Sequence, residues 1–223
     1  MNKHDVYNAC IRSHSLGIPT SMRYAAETVA EKRREILHKA SALFREHGFT
    51  RVSVGEVMKS TGLTHGAFYS HFKSKDELID HSLEHASALN KEGLQREGLS
   101  TQALLDYMQR YLSAEHRDDR AAGCLMAALG SEVGRQKNGK EAFTAHVTAV
   151  LKGMGRQSSA SSESGGRRKS IYLLATMVGA LTLSRAVSDP KLSNEILEEV
   201  RSHLCTSDAG SDDLSTSQVP ERD

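Results

Sequence analysis

The stretch TGLTHGAFYSHFKSKDEL, Thr61 to Leu78, gathers two glycines, three aromatic rings, two histidines and two lysines within a few turns of chain. Helix signals lie on both sides of Gly62. Upstream, Ser53 and Glu56 have capping-box spacing, in which each side chain satisfies an amide at the other's turn. Gly62 suits the left-handed residue that closes the helix so begun, a conformation a β-carbon disfavours. Thr64 is the next cap, with Leu63 before it and Phe68 placed for a hydrophobic staple. Ser74 with Glu77 opens another helix, and Thr28 with Glu31 opens an earlier one that Gly48 stops. The spacing therefore predicts helices over about 28–47, 54–61 and 65–71, and a fourth from 75 onward.

Two short helices joined at a glycine turn, the second with its own cap, form a helix-turn-helix, whose second helix enters a major groove. In the predicted 65–71 helix, Ala67, Phe68 and Phe72 fall on one side and lock inward, leaving His65, Gly66, Tyr69 and Ser70 on the other. Thr64 and His65 stand at the helix N-terminus, where base edges are met and free amides favour phosphate. Gly66 allows close backbone approach, and Tyr69 and His71 offer polar groups to phosphate. Lys73 and Lys75 flank the next helix start, and Ser53 heads the preceding helix. The expected partner is double-stranded DNA, with phosphates setting register and bases setting sequence.

The rest of the chain suits such a role without announcing it. Among 223 residues there are 3 Pro and no Trp, 38% are hydrophobic, and no sustained β-branched alternation appears, so the expected class is all-α. The formal net charge of +1 leaves only local charge segregation to recruit nucleic acid. Three cysteines, Cys10, Cys124 and Cys205, lie far apart, which fits a reducing cytoplasm better than a disulfide framework. The apolar run IYLLATMVGALTL, Ile171 to Leu183, is shorter than the ~20 residues of a membrane span and reads as a buried helix. No secretory h-region opens the chain, and Met22 is an expected alternative start.

Four segments follow: a flexible extension over 1–25, the helix-turn-helix domain over 26–75, a helical domain over 76–205, and a disordered acidic tail over 206–223. In the third, helices are expected over about 100–114, 122–136, 139–154, 168–187 and 193–205, with the Ser/Gly-rich GRQSSASSESGG as a flexible loop. His81 and His85 lie one helical turn apart and would bind a transition metal if a third ligand such as Glu77 or Glu84 joined, but exposed charged helices often carry such pairs by accident, and no metal or cofactor is expected. No GxSxG, GxxxxGK[ST] or HExxH motif appears, so no catalytic residues are assigned and an enzyme is not expected. Cys124 reads either as a small buried hydrophobe or as a thiol activated at a helix N-terminus.

The segment SVGEVMKSTGLTHGAFYSHFKSKDEL resembles the DNA-binding domain of TetR/AcrR-type transcriptional repressors. The resemblance rests on the cap at Ser53, the turn at Gly62, the Gly66-x-x-Tyr69-x-x-Phe72 core and the following Lys75-x-x-Leu78. It covers roughly residues 28–78, and Ser60-Thr61 replaces the usual alanine before the turn glycine. It implies about nine helices, a homodimer through the last two long helices, and a small-molecule effector site in the C-terminal domain. Apolar positions Ile196, Leu197, Val200 and Leu204 suit that dimer seam. Met108, Tyr111, Leu112, Cys124, Met126, Leu129, Met154, Tyr172 and Met177 are the candidate ligand-binding residues. The implied function is a repressor released from a palindromic operator by a small molecule; the alternative is a constitutive or architectural DNA-binding protein.

Overall fold

The computed structural model describes residues 20–96, 100–157 and 163–209. Nine α-helices and one 3-10 helix are present among them, and no strand. In chain order they are α1 (Thr20–His47), α2 (Val54–Ser60), the 3-10 helix (His65–Ser70), α3 (Lys75–Arg96), α4 (Thr101–Tyr111), α5 (Ala114–Asp118), α6 (Leu125–Arg135), α7 (Lys140–Gln157), α8 (Glu163–Ala186) and α9 (Pro190–Ala209). No helix among the described residues is long and apolar enough to cross a membrane.

Caps explain several of these bounds. Ser53 and Glu56 close a complete capping box on α2: Ser53 N donates to the Glu56 carboxylate at 2.7 Å, and Glu56 N donates to Ser53 Oγ at 3.2 Å. At α3, Ser74 Oγ accepts from Glu77 N at 3.1 Å, but the Glu77 carboxylate reaches past it to Lys73 N at 2.6 Å. Thr28 lies inside α1, which begins at Thr20, so the expected extension over 1–25 gives way to helix for its last six residues; residues 1–19 lie outside the described part.

The C-terminal helices are longer than their periodicity suggested. α7 and α8 run into the Ser/Gly-rich stretch from both sides, leaving only 158–162 outside the described residues. α9 starts at Pro190, where a missing amide costs nothing, with Asp189 Oδ1 accepting from Lys191 N at 2.9 Å. It continues to Ala209, into the expected tail; residues 210–223 are not described. α5 is an unforeseen helix of five residues, capped by Ser113 Oγ accepting from His116 N at 3.2 Å.

The chain divides into two compact units between Glu35 and Ile36. The described part of the first is the start of α1, where Lys32 and Glu35 pair at 2.9 Å on the surface. The second unit contains two hydrophobic cores. One joins Ile36, Phe44 and Phe49 to Val57, Met58, Phe68, Phe72, Leu78 and Leu83. The other joins Leu104, Met108 and Leu112 of the α4 segment to Val150, Met154, Met177, Leu181, Leu197 and Leu204. α6 serves both: Leu125, Leu129 and Val133, four residues apart, enter the first core, while Met126 with Cys124 enters the second.

Candidate nucleic-acid interface and ligand cavity

The 3-10 helix is held from within. Phe68 and Phe72 are each 1% exposed, and their rings stack with centroids 5.6 Å apart. Leu63 packs against the same core, as the staple spacing required. Gly62 takes φ +69°, a conformation that favours glycine, and hands the chain from α2 to the second helix. The expected α-helix is instead wound as 3-10: Ala67 N donates to the Thr64 carbonyl at 3.1 Å and His71 N to the Phe68 carbonyl at 2.9 Å, both i to i−3. Ser70 Oγ adds a bond to the Ala67 carbonyl at 2.7 Å, again three residues back.

With the two phenylalanines anchored, the opposite face turns outward. Thr64, His65, Gly66, Tyr69, Ser70 and Lys73 are exposed, Tyr69 by 66%. Thr64 uses no side-chain cap bond, so its hydroxyl stays available. The Tyr69 ring meets Phe68 edge-on at 5.3 Å and His65 edge-on at 6.0 Å, which limits its swing. The remaining expected contacts are partly engaged. Ser53 is exposed but its hydroxyl works in the cap, and His71 is half-buried with Nδ1 enclosed by protein. Lys75 Nζ donates to the Phe49 carbonyl at 2.6 Å, fastening the first turn of α3 to the turn after α1 and leaving two of its three donors.

A cavity of about 430 Å³ lies beneath, within the size range of small-molecule sites. Of the nine expected ligand residues, Tyr111 and Cys124 are on its wall. Met108, Leu112, Met126, Met154 and Met177 are packed in the second core and Leu129 in the first, because they occupy the inward stripes of their helices. Tyr172 is 59% exposed on the outer side of α8, away from Leu173, Leu174 and Met177. The sequence reading missed Arg45, Tyr107, Arg110 and His116, all on the cavity wall. Arg45 stands in the last turn of α1, and His116 sits in a helix too short for a periodic signal.

His116 organises this wall. Its Nε2 accepts from Cys124 N at 3.1 Å, so Nδ1 carries the proton and donates to the Tyr111 carbonyl at 2.7 Å. Burial, with the Arg185 cation adding to it, holds its pKa below the ordinary histidine value, so the ring is neutral. Arg185 donates from Nε to the Arg117 carbonyl and from Nη2 to the His116 carbonyl, each at 2.9 Å, and ties α5 to α8. The Tyr111 hydroxyl is buried against Cys124, and burial pushes its pKa well up. Cys124 heads α6 as its N-cap without a side-chain cap bond and is 5% exposed.

Two bonds connect α6 and its approach to the end of α1. Arg45 Nε donates to the Ala121 carbonyl at 2.6 Å, and Phe49 N donates to the Glu132 carboxylate at 2.8 Å. His81 Nδ1 is 2.9 Å from Glu84 and pairs no metal set; among the described residues no group of three His, Cys, Asp or Glu is placed to hold a metal ion.

Residues 36–81 match the family described as bacterial regulatory proteins, tetR family. Over 57 residues, 26% of each chain, the sequence is 40% identical to the HTH-type transcriptional regulator AcrR of Shigella flexneri. Over 62 residues it is 36% identical to the HTH-type transcriptional repressor KstR2 of Mycobacterium tuberculosis, covering 28% of this chain and 31% of that one. The chain thus spans between about a quarter and a third of the length of these relatives. The fold is also that of the reduced form of Escherichia coli NemR, with TM-score 0.66 at 21% identity over 78% of this chain and 95% of that one.

Proposed function

The chain belongs, through its N-terminal domain, to the TetR/AcrR family of transcriptional regulators, and on that premise we propose that it is a dimeric, ligand-responsive repressor of transcription. The observation that carries the reading is the 3-10 helix: a polar outer face of Thr64, His65, Gly66 and Tyr69 rigidly backed by Phe68 and Phe72. Thr64 and His65 meet base edges, Gly66 lets the backbone close on the groove, and Tyr69 and Lys73 hold phosphates, with Ser53, Ser70, His71 and the free donors of Lys75 at the rim. A dimer places two such helices in successive major grooves of a palindromic operator, half-sites about 34 Å apart. The work is done where the chromosome is, in the cytoplasm, by binding alone.

The dimer surface we assign to α8 and α9 differs in its residues from the expected seam. Leu197 and Leu204 are buried in the chain's own core, and Ile196 and Val200 pack against it. Tyr172, Thr176, Gly179 and Leu183 instead share one outer face of α8, with Tyr172 59% and Leu183 57% exposed. A β-carbon at Gly179 would meet nothing, so a second helix has room to approach there. The small-molecule site is the cavity beneath the reading domain, whose wall includes Arg45 of α1. A ligand there alters the hold between α1 and the α5–α6 turn and so the spacing of the two reading helices. A switch from mostly bound to mostly free needs a ligand preference for the released state of about 3–5 kcal/mol.

Fluorescence anisotropy with the duplex flanking the protein's own gene, against a scrambled duplex at two salt concentrations, tests the reading. The expected result is tighter, salt-sensitive binding to the flanking DNA. Lys73→Ala should weaken both duplexes alike and reduce the salt slope by about one, whereas His65→Ala should cost roughly 1–3 kcal/mol on the specific site alone. Equal weak binding to both duplexes would promote the architectural alternative.

A further inference from the structure

The turn after α1 is gripped from two directions through one residue. Phe49 N donates to the Glu132 carboxylate of α6 at 2.8 Å, and the Phe49 carbonyl accepts from Lys75 Nζ, in the first turn of α3, at 2.6 Å. The two partners lie 83 and 26 residues from Phe49 in the chain, so the contact joins three distant segments. They also carry opposite charge. Glu132 and Lys75 thus act as an ion pair bridged by one residue of backbone, and each of its bonds is charge-assisted, about twice as strong as a neutral one.

Each member of the bridge is held independently. The Phe49 side chain is 1% exposed, and its ring meets Phe44 edge-on with centroids 5.3 Å apart. Gly48 precedes it at φ +82°, and the space a β-carbon would take there is filled by the Glu132 carboxylate. On α6, Leu129 and Val133 are buried in the core beneath the reading helix, one turn before Glu132 and one residue after it. Lys75 is half-buried, unlike the exposed Lys73, and keeps two donors beyond the one spent on Phe49. A lysine tethered in this way has lost rotamer freedom before DNA arrives, so less is lost on binding a phosphate.

We propose that Glu132 is a positioning residue for operator binding: through the Phe49 backbone it holds the Lys75 ammonium at a phosphate, although it belongs to α6 and touches no DNA itself. The proposal rests on the repressor reading above and deepens it, because α6 also walls the cavity at Leu125. One helix then bounds the ligand site and sets a phosphate contact. Charge alone makes the opposite forecast: removing a carboxylate from a DNA-binding domain lessens repulsion of phosphates and tightens binding.

Anisotropy of the full chain on the flanking and scrambled duplexes, at two salt concentrations, separates the two forecasts. Glu132→Ala should weaken both duplexes severalfold and reduce the salt slope by about one, as Lys75→Met does. Glu132→Gln removes the charge but keeps an oxygen for Phe49 N, and should bind within about twofold of the unaltered chain. The paired Glu132→Ala, Lys75→Met variant should bind no more weakly than Lys75→Met alone, since both act through one contact. Should Glu132→Ala misfold, as circular dichroism would report, Glu132→Asp decides in its place: it keeps the charge, is one methylene too short to reach Phe49 N, and should also bind severalfold more weakly. Tighter binding by the Ala and Gln variants alike, full affinity in the Asp variant, or losses that add in the paired variant would overturn the positioning role and leave the repressor reading standing. An unaltered chain that binds neither duplex would sink the repressor reading, and this role with it.

Discussion

Gly48 and Glu132 form a contact that two residue types make possible. Gly48 ends α1 with φ +82°, and a β-carbon there would run into the Glu132 carboxylate, the same group that accepts from Phe49 N. Gly48→Ala therefore incurs both a strained backbone and a displaced carboxylate, and should lower stability by about 1–3 kcal/mol in thermal or urea melts. A second residue sets an acid limit. His146 is 1% exposed, bonded through Nδ1 to Ser87 Oγ at 3.0 Å, and burial depresses its pKa; His116 is depressed likewise. For a histidine whose folded pKa lies below its unfolded value, the unfolded chain binds the proton first as pH drops. The stabilisation is complete above the unfolded value, about 6.5, and is lost as pH falls toward the folded one. Melting temperature should be flat above neutrality and decline below that point, and His146→Gln should reduce the decline.

At the scale of elements, α8 presents the clearest consequence. Tyr172 and Leu183 stand on one exposed face with Gly179 between them, so Leu183→Glu should turn a dimer into a monomer in sedimentation equilibrium while leaving the melting of the single chain nearly unchanged. How far the elements were legible depended on whether their signals were local. Ser53 and Ser74 mark helix starts by side-chain bonds to their own neighbours and Gly62 marks a turn by its positive φ, and α2 and the start of α3 fall where those residues put them. The 3-10 winding of the reading helix was hidden, since Gly66 and Ser70 are compatible with either helix and only the anchoring of Phe68 and Phe72 decides. The outward residues of the candidate interface could be read from helical periodicity, because one helix has only two sides. The cavity could not: Arg45, Arg110 and His116 come from three helices, and their meeting is a property of packing that no single segment encodes. Methionine at helical spacing fills a core more often than it lines a ligand site, and Met108, Leu112, Met126, Leu129, Met154 and Met177 are all packed in the cores.

Over the whole molecule, the helix that stands between the two cores governs behaviour. Leu125, Leu129 and Val133 complete the core beneath the reading helix, although they follow it by more than fifty residues in the chain. A fragment covering only residues 20–96 lacks them, and its circular dichroism should show a broad, weak melt where the intact protein shows a sharp one. The shared helix also constrains inheritance. A recombination event that joined this reading domain to a foreign ligand domain would carry away three of its core side chains, so new pairings of operator and effector in such a lineage are reached by point substitution on the outer face of the reading helix or the cavity wall, and seldom by exchange of halves.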